Sequence, residues 1–311
     1  MSARPSLDPE LAELLTSLPD LPALSAETLP LMRPYASTPV EPLLAARDVV
    51  RREETIVGRD GAPLPLTVIS PRVASHTRPC VLWLHGGGMV MGDRFSQLDI
   101  PLEWLDALGA VVVSVDYRLA PEATGTTLVE DGYAALRWIA DQATELGVDA
   151  NRIVVAGTSA GGGIAAGVVL LARDRSGPAV AAQVLVCPML DHRNDTVSAR
   201  QFTAPGVWSR ESNAFAWDAV RGGVGDVSFY TSPSIAPDLT GLPPTYVDAG
   251  SAEVFRDECV DYTSRMWAVG GTAELHIWSG GFHGFDALYP DAELSRVARR
   301  TRTDWLRRTL A

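Results

Sequence analysis

The 311-residue chain contains no lysine, and all 26 of its basic side chains belong to arginine. Without lysine, the protein has no Schiff-base lysine for a carbonyl substrate or for pyridoxal phosphate. The lysine of a phosphate-binding P-loop is missing too, so the glycine-rich stretch 157–163 is not a nucleotide-binding loop of that type. Composition therefore excludes the lysine-dependent enzyme classes.

Cysteine is scarce: the chain has three, Cys80, Cys187 and Cys259, far apart in the sequence. Cys80 and Cys187 lie beside apolar runs that are typical of strands, which predicts buried structural thiols. Neither a C-x-x-C pair nor a cysteine–histidine spacing typical of zinc sites occurs. We therefore predict no metal site.

The chain also lacks an apolar run long enough to span a bilayer, and its first residues lack the hydrophobic segment of a signal peptide. Acidic side chains outnumber basic ones by 38 to 26, for a net charge of −12. This charge argues against a nucleic-acid or anionic-membrane partner. We expect a cytoplasmic protein that binds neither nucleic acid nor membrane.

Short apolar runs alternate with helical patterns along most of the chain. Strands are predicted at 51–57, 64–70, 80–84, 111–116, 153–156, 184–187, 245–248 and 273–278. Such alternation predicts an α/β fold with a mainly parallel central sheet flanked by helices on both faces. The first two strands are joined by a tight turn, so we expect them to pair antiparallel at one edge.

Two segments do not follow this alternation of strand and helix patterns. Residues 1–48 show short helical patterns without strand alternation, and residues 191–230 mix aromatic, polar and glycine residues without a strand signal. We predict that both belong to a helical cap above the carboxyl ends of the strands. The catalytic domain would then consist of residues 49–190 and 231–311.

The pentapeptide Gly157-Thr158-Ser159-Ala160-Gly161 follows a strand-like run and precedes a helical one. A G-x-S-x-G sequence at a strand-to-helix turn is the nucleophile elbow of an α/β-hydrolase. The flanking glycines permit a strained turn that projects the serine hydroxyl into the cleft. Ser159 is therefore the predicted nucleophile.

A second glycine-rich turn, His85-Gly86-Gly87-Gly88, follows another predicted strand. Acyl transfer places negative charge on the former carbonyl oxygen, and unobstructed backbone N–H groups stabilise it. We predict the N–H groups of Gly87 and Gly88 as oxyanion-hole donors, with Gly86 as the alternative. The third donor is Ala160, directly after the nucleophile.

A serine nucleophile needs a base, and the chain offers five histidines: His76, His85, His192, His276 and His283. His283 lies in a glycine-rich stretch directly after the last predicted strand, where a loop can bring its imidazole to the elbow. The order serine, acid, histidine along the chain is that of α/β-hydrolases. His283 is therefore the predicted base.

The acid that orients this base is expected on the loop after the strand 245–248. Asp248 is still within that strand, and Asp257 and Glu258 begin a predicted helix, where the helix dipole favours carboxylates. Glu253 lies between them and is the predicted acid, with Asp257 as the alternative. Its carboxylate would accept a hydrogen bond from His283 and stabilise the imidazolium.

These motifs together resemble the bacterial hormone-sensitive-lipase-like esterases. The segments that carry the resemblance are His85–Gly88, Asp116–Glu122, Gly157–Gly162, Phe255–Glu258 and His283–Phe285. The resemblance extends over nearly the whole chain from about residue 50. It implies a capped α/β-hydrolase fold and hydrolysis of carboxylic esters without a cofactor.

The chain departs from that family's usual pattern at two positions. Thr158 stands where the common form has aspartate, as in the threonine-bearing subgroup. Glu253-Val254-Phe255 stands where the family usually has aspartate followed by Pro-Leu. Glutamate is one methylene longer but can make the same hydrogen bond.

The sequence gives the weakest indication of which residues line the substrate pocket. We predict that an apolar wall includes Met89, Trp208, Phe215 and Phe285. A capped site suits short- to medium-chain esters, hydrolysed by a serine carboxylesterase through an acyl-enzyme intermediate. Amide hydrolysis by the same triad remains an alternative, as does a non-catalytic small-molecule receptor on the same fold.

The edge strand 273–278 would allow two copies of the chain to pair into a homodimer.

Overall fold

The computed structural model describes residues 3–19, 22–73, 77–203, 206–223 and 226–311. Within these ranges, eight strands form one sheet in the order β1-β2-β4-β3-β5-β6-β7-β8. The strands are β1 (Val49–Val57), β2 (Pro63–Pro71), β3 (Arg78–Leu84), β4 (Val111–Val115), β5 (Val148–Thr158), β6 (Ala182–Val186), β7 (Thr245–Gly250) and β8 (Ala273–Trp278). β1 pairs antiparallel with β2, and β2 pairs antiparallel with β4. All other neighbouring strands, β4-β3-β5-β6-β7-β8 in sheet order, pair in parallel.

Helices pack on both faces of this sheet. They are α1 (Pro9–Leu15), α2 (Leu29–Met32), α3 (Glu41–Ala45), α4 (Asp99–Leu108), α5 (Thr127–Asp141), α6 (Ala143–Leu146), α7 (Ala160–Asp174), α8 (Val197–Gln201), α9 (Arg210–Arg221), α10 (Arg256–Ala268), α11 (Phe285–Leu288) and α12 (Glu293–Thr309). Short 3-10 turns lie at Arg33–Tyr35 and Pro233–Ile235. The main core joins one face of the sheet to α5, α7 and α10, and a second core joins the opposite face to α4 and α12.

The strands supply both cores because successive side chains point to opposite faces. Leu82 of β3 belongs to the main core, whereas its neighbours Val81 and Trp83 belong to the second. A strand buried on both faces has no polar side and reads as a continuous apolar run. This is why the central strands were recognisable in the sequence.

Some boundaries differ from those predicted. β5 begins at Val148, five residues before the predicted start at 153. Residues 129–145 carry apolar side chains at helical intervals, which predicts one helix, but they belong to two, α5 and α6, because Gln142 leaves helical geometry at φ −101° and ψ 12°. The sequence pattern predicts a final helix from Asp291 to about Leu310, and the observed helix α12 begins at Glu293, after the separate short helix α11.

The two segments predicted to form the cap touch each other. The N–H of Leu24 donates to the Ser212 hydroxyl on α9 over 3.0 Å. The Gln201 amide at the end of α8 donates to the carbonyl of Ala3 over 2.5 Å. That these segments act as one cap domain stays a prediction. Among the described residues, no helix is both long and apolar enough to cross a membrane.

Candidate active site

Ser159 lies at the sharp turn between β5 and α7. Its backbone has a positive φ of 56°, which non-glycine residues rarely adopt. A β-carbon at Gly157 would be 2.3 Å from the carbonyl oxygen of Gly161, and one at Gly161 would be 2.0 Å from that of Leu84. Both glycines of the pentapeptide are therefore required by close backbone contacts.

The His283 imidazole reaches this serine from the loop after β8. The Ser159 Oγ atom is 2.9 Å from Nε2 of His283. The other ring nitrogen, Nδ1, hydrogen-bonds a carboxylate oxygen of Glu253 on the loop after β7. The second Glu253 oxygen accepts from the N–H of Gly250 over 2.7 Å. This pattern assigns the proton to Nδ1 and leaves the Nε2 lone pair facing the hydroxyl.

The loops that carry Glu253 and His283 are in direct backbone contact. The N–H of Ala252 donates to the carbonyl of Gly281 over 2.9 Å. A β-carbon at Gly250 would lie 2.0 Å from that same carbonyl oxygen, so only glycine permits this approach. The contact determines the separation of the acid and the base.

A buried ion-pair network lies close behind the His283 loop. Arg302 of α12 donates to Asp286 over 2.6 Å and to Asp248 of β7 over 2.8 Å. The three side chains are almost fully buried. Asp286 is three residues beyond His283, so this network anchors the loop to the sheet and to the last helix.

Asp257, the alternative acid, is engaged elsewhere. Its carboxylate pairs with the Arg256 guanidinium at 2.7 Å and accepts from the N–H of Ser198 at 2.7 Å. The first contact lies within α10, and the second joins the start of α10 to α8. The structure therefore brings Glu253, and not Asp257, to His283.

The other described histidines contact residues other than Ser159 and Glu253. His85 stacks on Tyr117 with ring centroids 4.2 Å apart. His192 lies 3.0 Å from the Ser232 hydroxyl, and His276 lies 2.9 Å from Glu274 on its own strand. His76 lies outside the described residues.

The glycine turn after β3 lies against the end of β5, since a β-carbon at Gly86 would be 3.3 Å from the carbonyl oxygen of Thr158, the residue before Ser159. The N–H of Gly86 donates to the side-chain oxygen of Gln97 over 2.8 Å, so this donor is already taken. Gly87 and Gly88 have positive φ values of 120° and 63°. Over the described ranges, the N–H groups of Gly87, Gly88 and Ala160 have no hydrogen-bond acceptor. Sequence reasoning missed Gln97, because no motif marks it.

Trp208 lies between this turn and the histidine. A β-carbon at Gly88 would be 2.3 Å from the indole ring, and the indole centroid is 6.3 Å from that of His283. Phe255 also contacts the imidazole, edge-on, with ring centroids 5.0 Å apart. Phe255 was quoted in the family motif, but the sequence did not identify it as a wall of the site.

The remaining predicted pocket residues are more dispersed. Met89 is fully buried, and its terminal methyl lies 3.7 Å from the β-carbon position of Gly163 in the first turn of α7. Phe215 is half-buried against the main core. Phe285 packs in a separate cluster with Leu11 of α1. The structure therefore brings Trp208 to the histidine but places Phe285 in packing beneath α1.

Cys187 is the unexpected member of the site. It was predicted as a buried structural thiol, and it is buried directly after β6. One potential ligand atom from each of Cys187, Glu253 and His283 lies within 4.8 Å of the other two. The residues are far apart in sequence, so no spacing rule identifies the cluster.

Burial and charge act in opposite directions on the His283 imidazole. Burial by itself lowers its pKa, whereas a negative charge on Cys187 or on Glu253 raises it, and the net pKa lies above the ordinary value. Burial raises the pKa of the Cys187 thiol, which is therefore uncharged at neutral pH. The Glu253 carboxylate is thus the anion that favours the imidazolium.

A protein-family model described as the α/β-hydrolase fold matches residues 81–287. The chain belongs to this family. Carboxylesterase NlhH of Mycobacterium tuberculosis is 36% identical to this hydrolase over 297 residues, covering 91% of this chain and 90% of that protein. Esterase LipI of the same species is 31% identical over 289 residues, covering 91% and 88%.

Solved structures give the same relationship. A bacterial heroin esterase matches the hydrolase with a TM-score of 0.90 and 38% identity over 98% of each chain. Esterase LipW from Mycobacterium marinum matches with a TM-score of 0.89 and 32% identity, also over 98% of each chain. The predicted α/β-hydrolase fold, the hormone-sensitive-lipase-like family and the class of carboxylic ester hydrolase are confirmed.

Proposed function

We propose that this hydrolase is a serine carboxylesterase that cleaves short- to medium-chain esters through an acyl-enzyme intermediate. The observation that carries the proposal is the 2.9 Å contact between Ser159 Oγ and His283 Nε2, with Glu253 on the opposite ring nitrogen. A serine hydroxyl that faces a neutral imidazole nitrogen is activated for attack on a carbonyl carbon.

In the first half of the reaction, Ser159 Oγ bonds to the ester carbonyl carbon while its proton moves to Nε2 of His283. The oxyanion that forms accepts hydrogen bonds from the N–H groups of Gly87, Gly88 and Ala160. His283 then gives the proton to the leaving alcohol oxygen as the carbon–oxygen bond breaks. In the second half, a water oxygen bonds to the acyl carbon while its proton moves to Nε2 of His283, and His283 then gives this proton to Ser159 Oγ as the bond between Oγ and the acyl carbon breaks.

Trp208 supports the preference for small acyl groups. Its indole rests on Gly88 beside His283, so a bulky apolar side chain borders the space next to the oxyanion donors. A wall this close limits the length of acyl chain that fits, because protein interiors accommodate extra methylenes poorly. The relatives are named as esterases, which agrees with a carboxylic ester substrate.

The direct test is Ser159→Ala, assayed on p-nitrophenyl acetate and butyrate. We expect loss of nearly all activity with an unchanged circular-dichroism spectrum, and loss of covalent labelling by a fluorophosphonate. An ester and its isosteric anilide, compared on the wild type, separate the esterase from an amidase. Labelling that survives the substitution would show that another residue is the nucleophile.

We also propose a homodimer formed through β8. This strand is last in the sheet order, so one of its backbone edges has no partner strand among the described residues. Exposed edges of this kind pair readily with a second copy across a two-fold axis. Light scattering should give twice the chain mass, and a mass near 33.3 kDa contradicts the proposal.

A further inference from the structure

The thiol of Cys187 has no part in the reaction described above, yet it lies against the acid and the base. Its sulfur, one Glu253 oxygen and one His283 nitrogen lie within 4.8 Å of one another. All three side chains are buried. The site therefore combines a sulfur, a nitrogen and an oxygen donor in one small space.

This donor set has the chemistry of a zinc ligand set. Zn²⁺ binds cysteine thiolate, imidazole nitrogen and carboxylate oxygen at about 2.0–2.3 Å. Two such ligands on one cation stand roughly 3–4 Å apart, so small side-chain movements suffice here. A thiolate and a carboxylate carry two negative charges, which offset those of a divalent cation in a buried place.

The contacts of the imidazole determine which nitrogen is open to such a cation. Nε2 faces the Ser159 hydroxyl, whereas Nδ1 faces the Glu253 carboxylate. A cation held by Cys187 and Glu253 therefore takes Nδ1, on the side of the ring away from the serine.

We propose that Cys187, Glu253 and Nδ1 of His283 form an inhibitory binding site for zinc-like divalent cations. This inference rests on the proposed role of His283 as the base. On binding, the thiol proton leaves to solvent and sulfur, oxygen and Nδ1 each bond to the metal. The ring proton is then carried on Nε2, so Nε2 no longer has a lone pair to accept the Ser159 proton.

Because the cation binds at Nδ1, on the side of the imidazole away from Ser159, it leaves the substrate space free. Inhibition should lower kcat with little change in KM, and EDTA should restore the rate. Zn²⁺ and Cd²⁺ should inhibit, whereas Mg²⁺, which prefers oxygen ligands, should not. A cation bound at Nε2 would instead compete with substrate and raise KM.

The test compares Cys187→Ala and Cys187→Ser with Cys80→Ala, a matched removal of another buried thiol, on β3. Each enzyme is titrated with Zn²⁺ and with Cd²⁺, and its rate is expressed relative to its own metal-free rate. The Cys187 variants should need at least about tenfold more metal, since even loss of an outer-shell partner costs that much affinity. Cys80→Ala should follow the wild type.

A second measurement does not depend on activity. Cd²⁺ bound to a thiolate gives an ultraviolet charge-transfer absorption, which should appear with the wild type and with Cys80→Ala but not with the Cys187 variants. Absence of this absorption from the wild type overturns the metal site and leaves the proposed esterase mechanism untouched. An absorption that depends on Cys187 without inhibition overturns the inhibitory role, because the bound cation then leaves Nε2 of His283 able to accept the Ser159 proton; loss of activity in Ser159→Ala tests the esterase mechanism separately.

Discussion

The indole of Trp208 rests on the α-carbon of Gly88, so closely that a β-carbon there would lie 2.3 Å from the ring. One contact thus joins the proposed oxyanion turn to the proposed pocket wall. It also explains the last glycine of the His85–Gly88 motif by two separate constraints, a positive φ of 63° and the lack of space for a side chain.

Gly88→Ala should lower kcat/KM by at least about tenfold, because the added β-carbon must displace the indole or the oxyanion turn, and a loss of roughly 1.4 kcal/mol of transition-state stabilisation has this effect. The matched control is Gly61→Ala, which has φ 85° but no atom within 4 Å of the added β-carbon. This control carries the backbone strain alone and should keep its activity. Equal losses in the two variants would show that the Trp208 contact is unimportant.

Trp208→Ala should move the preference of the hydrolase toward longer acyl chains. Removing the indole opens space beside Gly88 and His283, so octanoate should gain relative to acetate among p-nitrophenyl esters. The measurement is kcat/KM along the series from acetate to octanoate. A profile that falls uniformly, without changing shape, would remove Trp208 from the acyl pocket.

Glu253→Gln should lower kcat on the order of 10³- to 10⁴-fold, because an amide holds the imidazole in the wrong tautomer. Asp257→Asn is the matched control and should change kcat little, since Asp257 pairs with Arg256 and Ser198. Stopped assays with p-nitrophenyl butyrate are sensitive enough for both variants. The reverse order of losses would transfer the role of the acid to Asp257.

The dependence of kcat/KM on pH should report the His283 imidazole. The reaction needs the neutral ring, so activity rises with pH as the proton leaves. Since the pKa of His283 is raised above its usual 6.5, the midpoint of this rise should lie above pH 6.5. Glu253→Gln removes the carboxylate that favours the imidazolium, so the midpoint of the residual activity should move to lower pH. A midpoint that stays in place would assign the titration to another group.

Arg302→Met should destabilise the fold by about 3–5 kcal/mol, because it leaves the buried carboxylates of Asp248 and Asp286 without their cation. Urea unfolding measures this loss. The control is Arg307→Met on the same helix, whose guanidinium is 54% exposed beside Asp304 and should contribute little. Similar unfolding midpoints for the two variants would contradict a structural role for the network.

The sequence predicted where the eight strands lie along the chain, because the central strands are apolar on both faces. It also predicted the residues that the structure brings together at the elbow and its base, because each follows a recognisable strand. Element ends were less accurate: the split at Gln142 depends on local backbone geometry that side-chain periodicity does not encode. Trp208 and Phe285 were both predicted for the pocket. Trp208 lies beside His283, whereas Phe285 packs with Leu11 of α1.

From the sequence alone, G-x-S-x-G after a strand predicts Ser159 as the nucleophile, and the sharp turn that this motif also predicts is present in the structure, where Ser159 has a φ of 56°. The fold was needed to show that Glu253, and not Asp257, contacts His283, because this depends on which carboxylate the contact between the β7 and β8 loops brings to the imidazole. It alone also placed the Cys187 sulfur beside that pair. Parallel strands end at one edge of the sheet, and residues distant in the chain become neighbours there.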